Sequence, residues 1–576
     1  MREVIHKVDF CVVGGGLAGL CAAIAAARHG LQVVLIHDRP VLGGNASSEI
    51  RMWACGARGE NNRETGIIEE ILLENYYLNP LSNYSVWDSV LYGKARYQEG
   101  LTLLLNCSCV ALDMQGGRIK SVKGWQLTTE TWHTVTANIF ADCSGDSVLS
   151  TLCGAEFRIG RESREEFSED IEPAVGDSNT MGMSCLIQAR EIHTPQQFIP
   201  PQWAYKFKSD ADLNNRGHRI EQTNFWWMEL GGTKDSIHQT EEIKDELLKI
   251  AFGVWDHIKN HGDHNAENWV LEWVGFLPGK RESRRYVGDY ILTQNDIRSE
   301  GFFPDIVAYG GWPMDDHNPQ GFNHAGDPTI FHPAPSPYGI PYRCLYSRNI
   351  ENLFFAGRNI SVTHAALSST RVMRTCSILG QAVGTAASIS VNHLTTPRDV
   401  YERYIEELQY KLMEDDCYLP GHRRPIPELS KTAELSASEG SSEPLRNGLD
   451  RPVGDLDNGW TGLPGGWVQY TFRQSKSIKQ VRLVFDSDLN RKNLGMRCFY
   501  PRDAELFSVP ETIIKSFRIE IEAEGGTGKW QCVFREDNNY QRLVRIPLLA
   551  KTKGIRIVPE ATWGTDRAHI FGFDVR

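Results

Sequence analysis

The stretch Cys11–Gly30, CVVGGGLAGLCAAIAAARHG, limits the possible folds more than any other part of the chain. An apolar strand, Val8–Val13, runs straight into three glycines spaced G-x-G-x-x-G, and an alanine-rich helix follows. Gly14 permits a tight turn. Gly16 lets the backbone approach a pyrophosphate with no Cβ in the way, and Gly19 lets the helix pack close on the strand. The helix start, with Leu17 and Ala18, turns free N–H groups and a partial positive charge toward the phosphates. A second apolar strand, Gln32–Ile36, completes a βαβ unit, so the motif stands in the context it needs and a dinucleotide site is expected.

An acid normally follows the second strand and binds the adenosine ribose. Here the strand runs into IHDRP, so His37 occupies that place and Asp38 is next. Either can bind a ribose hydroxyl, and Asp38 is favoured. The following Arg39 argues against a strictly anionic pocket. A second glycine pair, Gly43 and Gly44, comes next with Asn45, Ser47 and Ser48. Residues this small let the loop lie along the phosphates and ribityl chain of a longer cofactor. Far downstream, Asn352–Ala387 reads as a strand, a Gly-Arg pair, a loop and a Gly/Ala-rich helix, which would bring the chain back to the cofactor.

These segments resemble the FAD-dependent oxidoreductases of the glutathione-reductase-like flavoprotein class, in the group related to the FAD-binding subunit of heterodisulfide reductase. The resemblance rests on the glycine motif, RPVLGGNASSEIR, FADCSGDSVLSTLCGAEFRIGRE (Phe140–Glu162), GKRESRRYVGDYILTQNDI (Gly279–Ile297) and the return NLFFAGRNIS…STRVMRTCSILGQAVGTAA. It implies FAD as cofactor, with Ser144 and Gly145 near the adenine side and Gly357 and Arg358 at the pyrophosphate or ribityl. Val110, Gly380 and Gln381 complete the implied contact set. The heterodisulfide reductase relatives carry cysteine clusters. This chain has 13 scattered cysteines and no C-x-x-C, so iron–sulfur and disulfide chemistry are not expected. No second G-x-G-x-x-G marks a nicotinamide domain.

A chain of 576 residues exceeds one hydrophobic core. The expected fold class is α/β: a Rossmann-type FAD-binding domain (1–155 and 342–395) with an inserted α+β substrate domain (156–341). A helical linker (396–430) then leads to a C-terminal β-sandwich of jelly-roll type (431–576). In that last region short alternating strands are separated by Gly, Asn, Asp and Pro turns. Its opening resembles a discoidin-like, galactose-binding module, and Trp460 and Trp563 are candidates to stack on a sugar.

The net charge of −12 argues against nucleic acid as a partner. No apolar run reaches the length of a membrane helix. No secretory signal precedes the first strand, and unpatterned cysteines suit a reducing compartment. A cytoplasmic location is therefore expected, or a periplasmic one if a leader has been removed. A homo-oligomer is left open.

A flavin exchanges a hydride at N5, while the protein orients the substrate and handles the proton. His364 follows Gly357 in the return, where the chain should pass the ring. Arg371 and Arg374 come next. The stretch Trp312–Arg343 is rich in Pro, Gly and His and poor in regular pattern, and Asp315, Asp316, His317, His324, His332 and Tyr338 are pocket candidates there. His364, His324, Arg371 and Tyr338 are the expected catalytic residues. Of the adjacent Trp226 and Trp227, at most one can face a ligand if they lie on a strand. His257 and His261 share a helix face at i, i+4 with His264 beyond, a spacing able to hold a metal. No zincin-type glutamate separates them and flavin catalysis needs no metal, so none is expected.

The leading reading is an FAD-dependent dehydrogenase or oxidase of a hydroxyl-bearing carbon on a sugar, glycoside or polyol, with an unspecified electron acceptor. The alternatives are a reductase of an unsaturated or keto acid, using Arg284, Arg285, Arg371 and Arg374, and a non-catalytic sugar binder with a structural flavin.

Overall fold

The computed structural model describes residues 2–214, 216–220, 224–492, 495–523 and 528–576. The chain forms two compact units. The first comprises Met1–Arg58, Ser82–Leu408 and Leu494–Leu506, and the second Gly59–Leu81, Gln409–Asn493 and Phe507–Arg576.

The first unit is built on one sheet. Its strands are β1 (Arg2–Val13), β2 (Val33–Ile36), β3 (Leu101–Leu104), β4 (Cys107–Gln115), β5 (Arg118–Gln126) and β6 (Thr131–Asp142), with helix α1 (Leu17–Arg28) crossing from β1 to β2. The order is β3-β2-β1-β6-β5-β4, and a short late strand, Leu353–Phe355, lies beside the end of β6. Strands β1, β2, β3, β6 and Leu353–Phe355 run parallel, while β4 and β5 form an antiparallel meander onto β6. Every residue of β2 is buried, as expected of a parallel strand covered on both faces.

Register decides where a ligand can sit. Val13, Asp142 and Phe355 end their strands side by side. The turns that follow, at Gly14, Cys143–Gly145 and Gly357, therefore open at one edge of the sheet. Carboxyl ends of strands are where open α/β sheets bind ligands. The return helix Met373–Asn392 packs on α1 along a small-residue seam. A Cβ on Gly380 or Gly384, one turn apart, would overlap the backbone of Ala18 or Ala22.

The segment 156–341 shares the first unit with these strands. Its helix Thr240–Asn260 buries Ile250, Val254 and Trp255 against Phe225, Trp227 and Trp269. The stretch Trp312–Arg343 departs from the expectation of irregular loop. Met314–His317 pairs antiparallel with Thr329–His332, and Tyr338–Pro341 pairs with Ile306–Gly310.

The second unit is an antiparallel β-sandwich, with seven strands among the described residues: Glu434–Ala437, Trp460–Gly462, Val468–Phe485, Ile514–Glu522, Trp530–Glu536, Leu543–Thr562 and Ala568–Val575. Register breaks within the paired long strands Val468–Phe485 and Leu543–Thr562 bend the ladder they share. Its core includes Tyr470, Leu483, Phe517, Ile557 and Phe573. Residues 59–81, expected within the first FAD-binding segment, fold with this unit instead. There Glu69 pairs with Arg491 at 2.6 Å, and Tyr77 stacks on Tyr540 with ring centroids 4.2 Å apart. The expected linker is divided too: the helical segment Pro397–Glu414 is broken at Tyr404, and the boundary between units falls at Leu408/Gln409. Trp460 is a core residue whose indole N–H donates to the Glu439 carbonyl. The Trp563 indole N–H donates to the Asn539 carbonyl, and the Lys515 ammonium lies 4.7 Å over its ring. Neither is an open platform for a sugar.

The seam between α1 and the return helix gives a direct test. Gly380→Ala should destabilise the first unit by about 1–3 kcal/mol, because the methyl meets helix backbone rather than a flexible side chain. Gly93→Ala, in a helix where a Cβ would meet nothing within 4 Å, should be neutral or stabilising. Thermal unfolding followed by flavin fluorescence compares the two.

Candidate active site

The strand ends open into a cavity of about 580 Å³. Its walls come from both ends of the first 400 residues: Gly14–Ala18, His37–Arg39, Gly43–Asn45 and Ser144–Asp146 from the early half, and Gly357, Arg358, Arg371 and Val372 from the return.

The glycine loop is held from inside. The His37 ring is buried; its Nδ1 accepts from the Gly15 N–H at 3.0 Å, and its Nε2–H donates to the Val41 carbonyl at 3.0 Å. Both ring nitrogens are thus committed to the protein. Burial, reinforced by the Arg39 charge, lowers the imidazole pKa to about 4 and keeps it neutral. Asp38, the next residue, is exposed at the cavity wall.

The return segment is tied to the early half by one carboxylate. Asp146 takes hydrogen bonds from Arg358 at 2.7 Å, Lys280 at 2.8 Å and Ser283 at 2.8 Å. Burial disfavours its charge, yet Arg358 and Lys280 overcome that and hold the carboxyl down at about 2. Gly145 beside it has φ +78°, a left-handed conformation that favours glycine.

The other end of the cavity is polar and charged. Asp315 and His317 lie two apart on Met314–His317 and both line the cavity, as period-two alternation dictates. His317 Nδ1–H donates to Glu229 at 2.6 Å, and Nε2 faces Asp315 at 3.2 Å. Burial works against the charges of both carboxylates. His317 with Arg371 holds Asp315 well below the usual range, and Arg281 with His317 holds Glu229 below it. Arg371 pairs with Asp315 at 3.0 Å and Arg281 with Glu229 at 3.4 Å. The Trp226 ring lies edge-on to His317, 5.2 Å between centroids, and lines the cavity, whereas Trp227 is buried with its N–H on the Gly217 carbonyl.

Several expected site residues sit elsewhere. His364 is buried away from the cavity: Nδ1 contacts Glu282 at 2.9 Å and Nε2 contacts Asp316 at 3.4 Å. Burial alone would depress its pKa, but Glu282 and Asp316 push it well above the normal value. A charged, enclosed imidazole cannot take a substrate proton. The Tyr338 hydroxyl bonds Ser369 Oγ at 2.6 Å inside the core, and His324 offers its backbone carbonyl to Arg216. Neither side chain reaches the cavity. Gly19 and Gly380 serve packing, since a Cβ on Gly19 would overlap the Gly14 carbonyl. Gln381 is buried within the return helix. Ser47 is buried with its hydroxyl unpartnered, and the Ser48 N–H is taken by Asp88. Val110 is half exposed, one residue beyond Cys109, which does line the wall. Arg285 is locked between Glu162 and Glu282, and Arg284 lies over Phe157. Glu229, Arg281 and Asp146 were missed by the sequence reading; their partners lie far away in the chain, and no local pattern marks them.

The wall is suited to FAD. A Cβ on Gly16 would meet only Gly44 Cα, at 3.9 Å, and so would project into space a pyrophosphate needs. No acidic residue occupies the first turn of α1 to compete with a phosphate. Arg358 Nε and the Trp312 indole N–H are buried at the wall without protein partners, leaving donors for a polar ligand.

Three glycine-bearing turns converging on one edge of a parallel sheet define a Rossmann-type dinucleotide-binding oxidoreductase. A family model described as FAD dependent oxidoreductase matches residues 9–412. The chain belongs to that family, and FAD is its cofactor. Glycerol-3-phosphate dehydrogenase of Mycobacterium leprae (strain TN) is 35% identical over 69 residues, and a second such enzyme from Mycobacterium bovis matches equally. The match covers 12% of this chain and only 12% of the length of these curated relatives. Among solved structures, a geranylgeranyl bacteriochlorophyll reductase-like protein of Thermoplasma acidophilum is 12% identical. That likeness covers 72% of this chain and 85% of that one, with a TM-score of 0.33. The family 32 carbohydrate-binding module from Streptococcus pneumoniae EndoD is 14% identical over 25% of this chain and 95% of its own, with a TM-score of 0.19. Among the described residues no helix is long and apolar enough to cross a membrane.

His37 makes the glycine loop acid-sensitive. Its folded pKa of about 4 lies below the ordinary 6.5, so between those values the unfolded chain binds the extra proton. Its contribution, roughly 3 kcal/mol, is present above pH 6.5 and is lost as pH falls to about 4. Retention of FAD on a desalting column should decline through that window. In His37→Asn, whose amide oxygen can accept from Gly15, the decline should flatten.

Proposed function

We propose that the enzyme oxidises a hydroxyl-bearing carbon of a carbohydrate or polyol, with His317 as the proton acceptor. The observation that carries this reading is the Glu229–His317–Asp315 array at the cavity wall. Glu229 fixes the ring through Nδ1 and would stabilise the positive charge that develops there, the role an acid plays behind a catalytic histidine. The reactive form is the neutral ring: two vicinal hydroxyls inserted between His317 and Asp315 would break the 3.2 Å Nε2–Asp315 contact and donate one to Nε2 and one to the carboxylate. Asp315 is positioned to accept a neighbouring hydroxyl, as several vicinal hydroxyls on one substrate would require. Trp226 and Trp312 supply apolar wall. Bound FAD supplies the acceptor for the hydride, at its N5 atom.

The reading as a reductase of an acid is less well supported. Arg281 and Arg371 line the cavity, but each is already paired with a carboxylate. A substrate carboxylate would have to displace Glu229 or Asp315 to be clamped.

The test is anaerobic reduction of the holoenzyme's flavin by a panel of glycosides and polyols, followed by absorbance. A reactive compound should bleach wild-type flavin, and His317→Gln should slow the bleaching by about 10²–10⁴-fold with FAD content unchanged. Bleaching by no member of the panel, together with fast reoxidation of chemically reduced enzyme by unsaturated or keto acids, would overturn the proposal in favour of the reductase.

A further inference from the structure

The helix Thr240–Asn260 ends in a group of side chains unrelated to the FAD cavity. The sequence suggests His257 with His261, but His261 turns toward Asp256, 3.6 Å away. The fold instead gathers Asp210, His218, His257 and His264 from three segments. One ring nitrogen from each histidine and one carboxylate oxygen lie within 4.8 Å of one another. The three rings form a closed triangle, with centroids 4.7, 4.9 and 5.0 Å apart.

The hydrogen bonds around the rings give the group its meaning. His257 Nδ1 bonds the Phe207 carbonyl at 3.0 Å, His218 Nδ1 bonds the Arg216 carbonyl at 2.7 Å, and His264 Nε2 bonds the His261 carbonyl at 3.0 Å. A carbonyl only accepts, so each of these nitrogens carries the ring proton. The opposite ring nitrogens of His257 and His218 turn to Asp210. Metal-bound histidines are oriented in this way, by a backbone carbonyl on the nitrogen opposite the metal. His257 Nε2 hydrogen-bonds Asp210 Oδ1 at 3.1 Å and His218 Nε2 lies 3.6 Å from the same oxygen, so a metal ion would replace the proton held there. Adjacent ligands on a tetrahedral zinc stand about 3.4 Å apart, so the group needs only a small closure.

We propose that Asp210, His218, His257 and His264 bind one zinc ion in a closed structural site. Three imidazoles and a carboxylate suit a divalent ion of borderline softness, and four protein ligands leave no open position for catalysis. The ion would fasten Asp210 and His218 to the end of the helix. Arg216, two residues before His218, donates through its guanidinium to the carbonyls of His324, at 2.7 Å, and Gly326. Those carbonyls belong to the connection between the two strands of the Asp315/His317 hairpin, so the ion would steady the active-site wall from behind.

The holoenzyme, stripped with a chelator and reloaded with zinc chloride, should retain about one zinc per chain after desalting. X-ray absorption at the zinc edge should show nitrogen and oxygen ligands with imidazole scattering and no sulfur. Reloading should raise the thermal midpoint of wild type. His264→Gln and Asp210→Asn, both near the surface, should lose zinc to background and lose the thermal response. His261→Gln should keep both. Zinc at background in reloaded wild type, sulfur in its first shell, or undiminished zinc in both ligand variants would overturn the proposal. The absorption measurement needs no variant, so a variant that fails to fold leaves the test intact.

Discussion

The first unit depends on bringing Gly357 back to a glycine loop that the chain left more than three hundred residues earlier. Closing so long a loop has an entropic cost, though one that grows only slowly with length. Three short-range contacts offset it. Leu353–Phe355 adds a parallel strand to β6. The return helix meets α1 where Gly380 and Gly384 allow backbone to approach backbone. Asp146 then holds Arg358 across the turn. The ion pair also fixes geometry, because its partners come from the two turns that face the cofactor. Removing one partner would leave a buried charge uncompensated, a much larger penalty than the net worth of the pair.

The parts legible in the sequence are those where chemistry is enforced by local backbone. Gly14, Gly16, Gly43, Gly44 and Gly357 are needed for turns or close approach whatever surrounds them, and all line the cavity. Period-two patterning exposed the sandwich strands for the same reason. The reading failed where function depends on remote pairing. Glu229 and Lys280 lie in two-residue strands that join only through Met183–Ser184, and Arg281 follows directly. No periodicity survives in elements that short. Val110 shows how fine the margin is, since one residue along a strand turns a side chain from the cavity to the solvent.

The C-terminal aromatics carry a related lesson. Trp460 and Trp563 stand next to glycines in turn-rich sequence, which favours a loop assignment. Both are nonetheless consumed by packing, because a small sandwich has few large side chains with which to close its ends. The helix Ile67–Leu78 contributes to the same unit through Tyr77 and Glu69, although its sequence neighbours belong to the other one. Sequence proximity to the glycine motif was a poor guide there.

Two histidines bracket one strand residue pair and show how environment assigns a role. Asp315 and Asp316 are adjacent, so they face opposite ways; the first meets His317 at the cavity and the second meets His364 in the interior. His364 has no route to solvent or substrate, and its positive charge is balanced by Glu282 and Asp316. Its consequence is mechanical. The imidazolium ties the start of helix His364–Thr370 to the hairpin that carries Asp315 and His317, and the same helix leads into Arg371. Displacing the Asp316–His364 contact would therefore move Asp315 and Arg371 together. Position in the return loop favours His364 as the base, but a base must face the substrate, and of His317 and His364 it is His317 that lines the cavity.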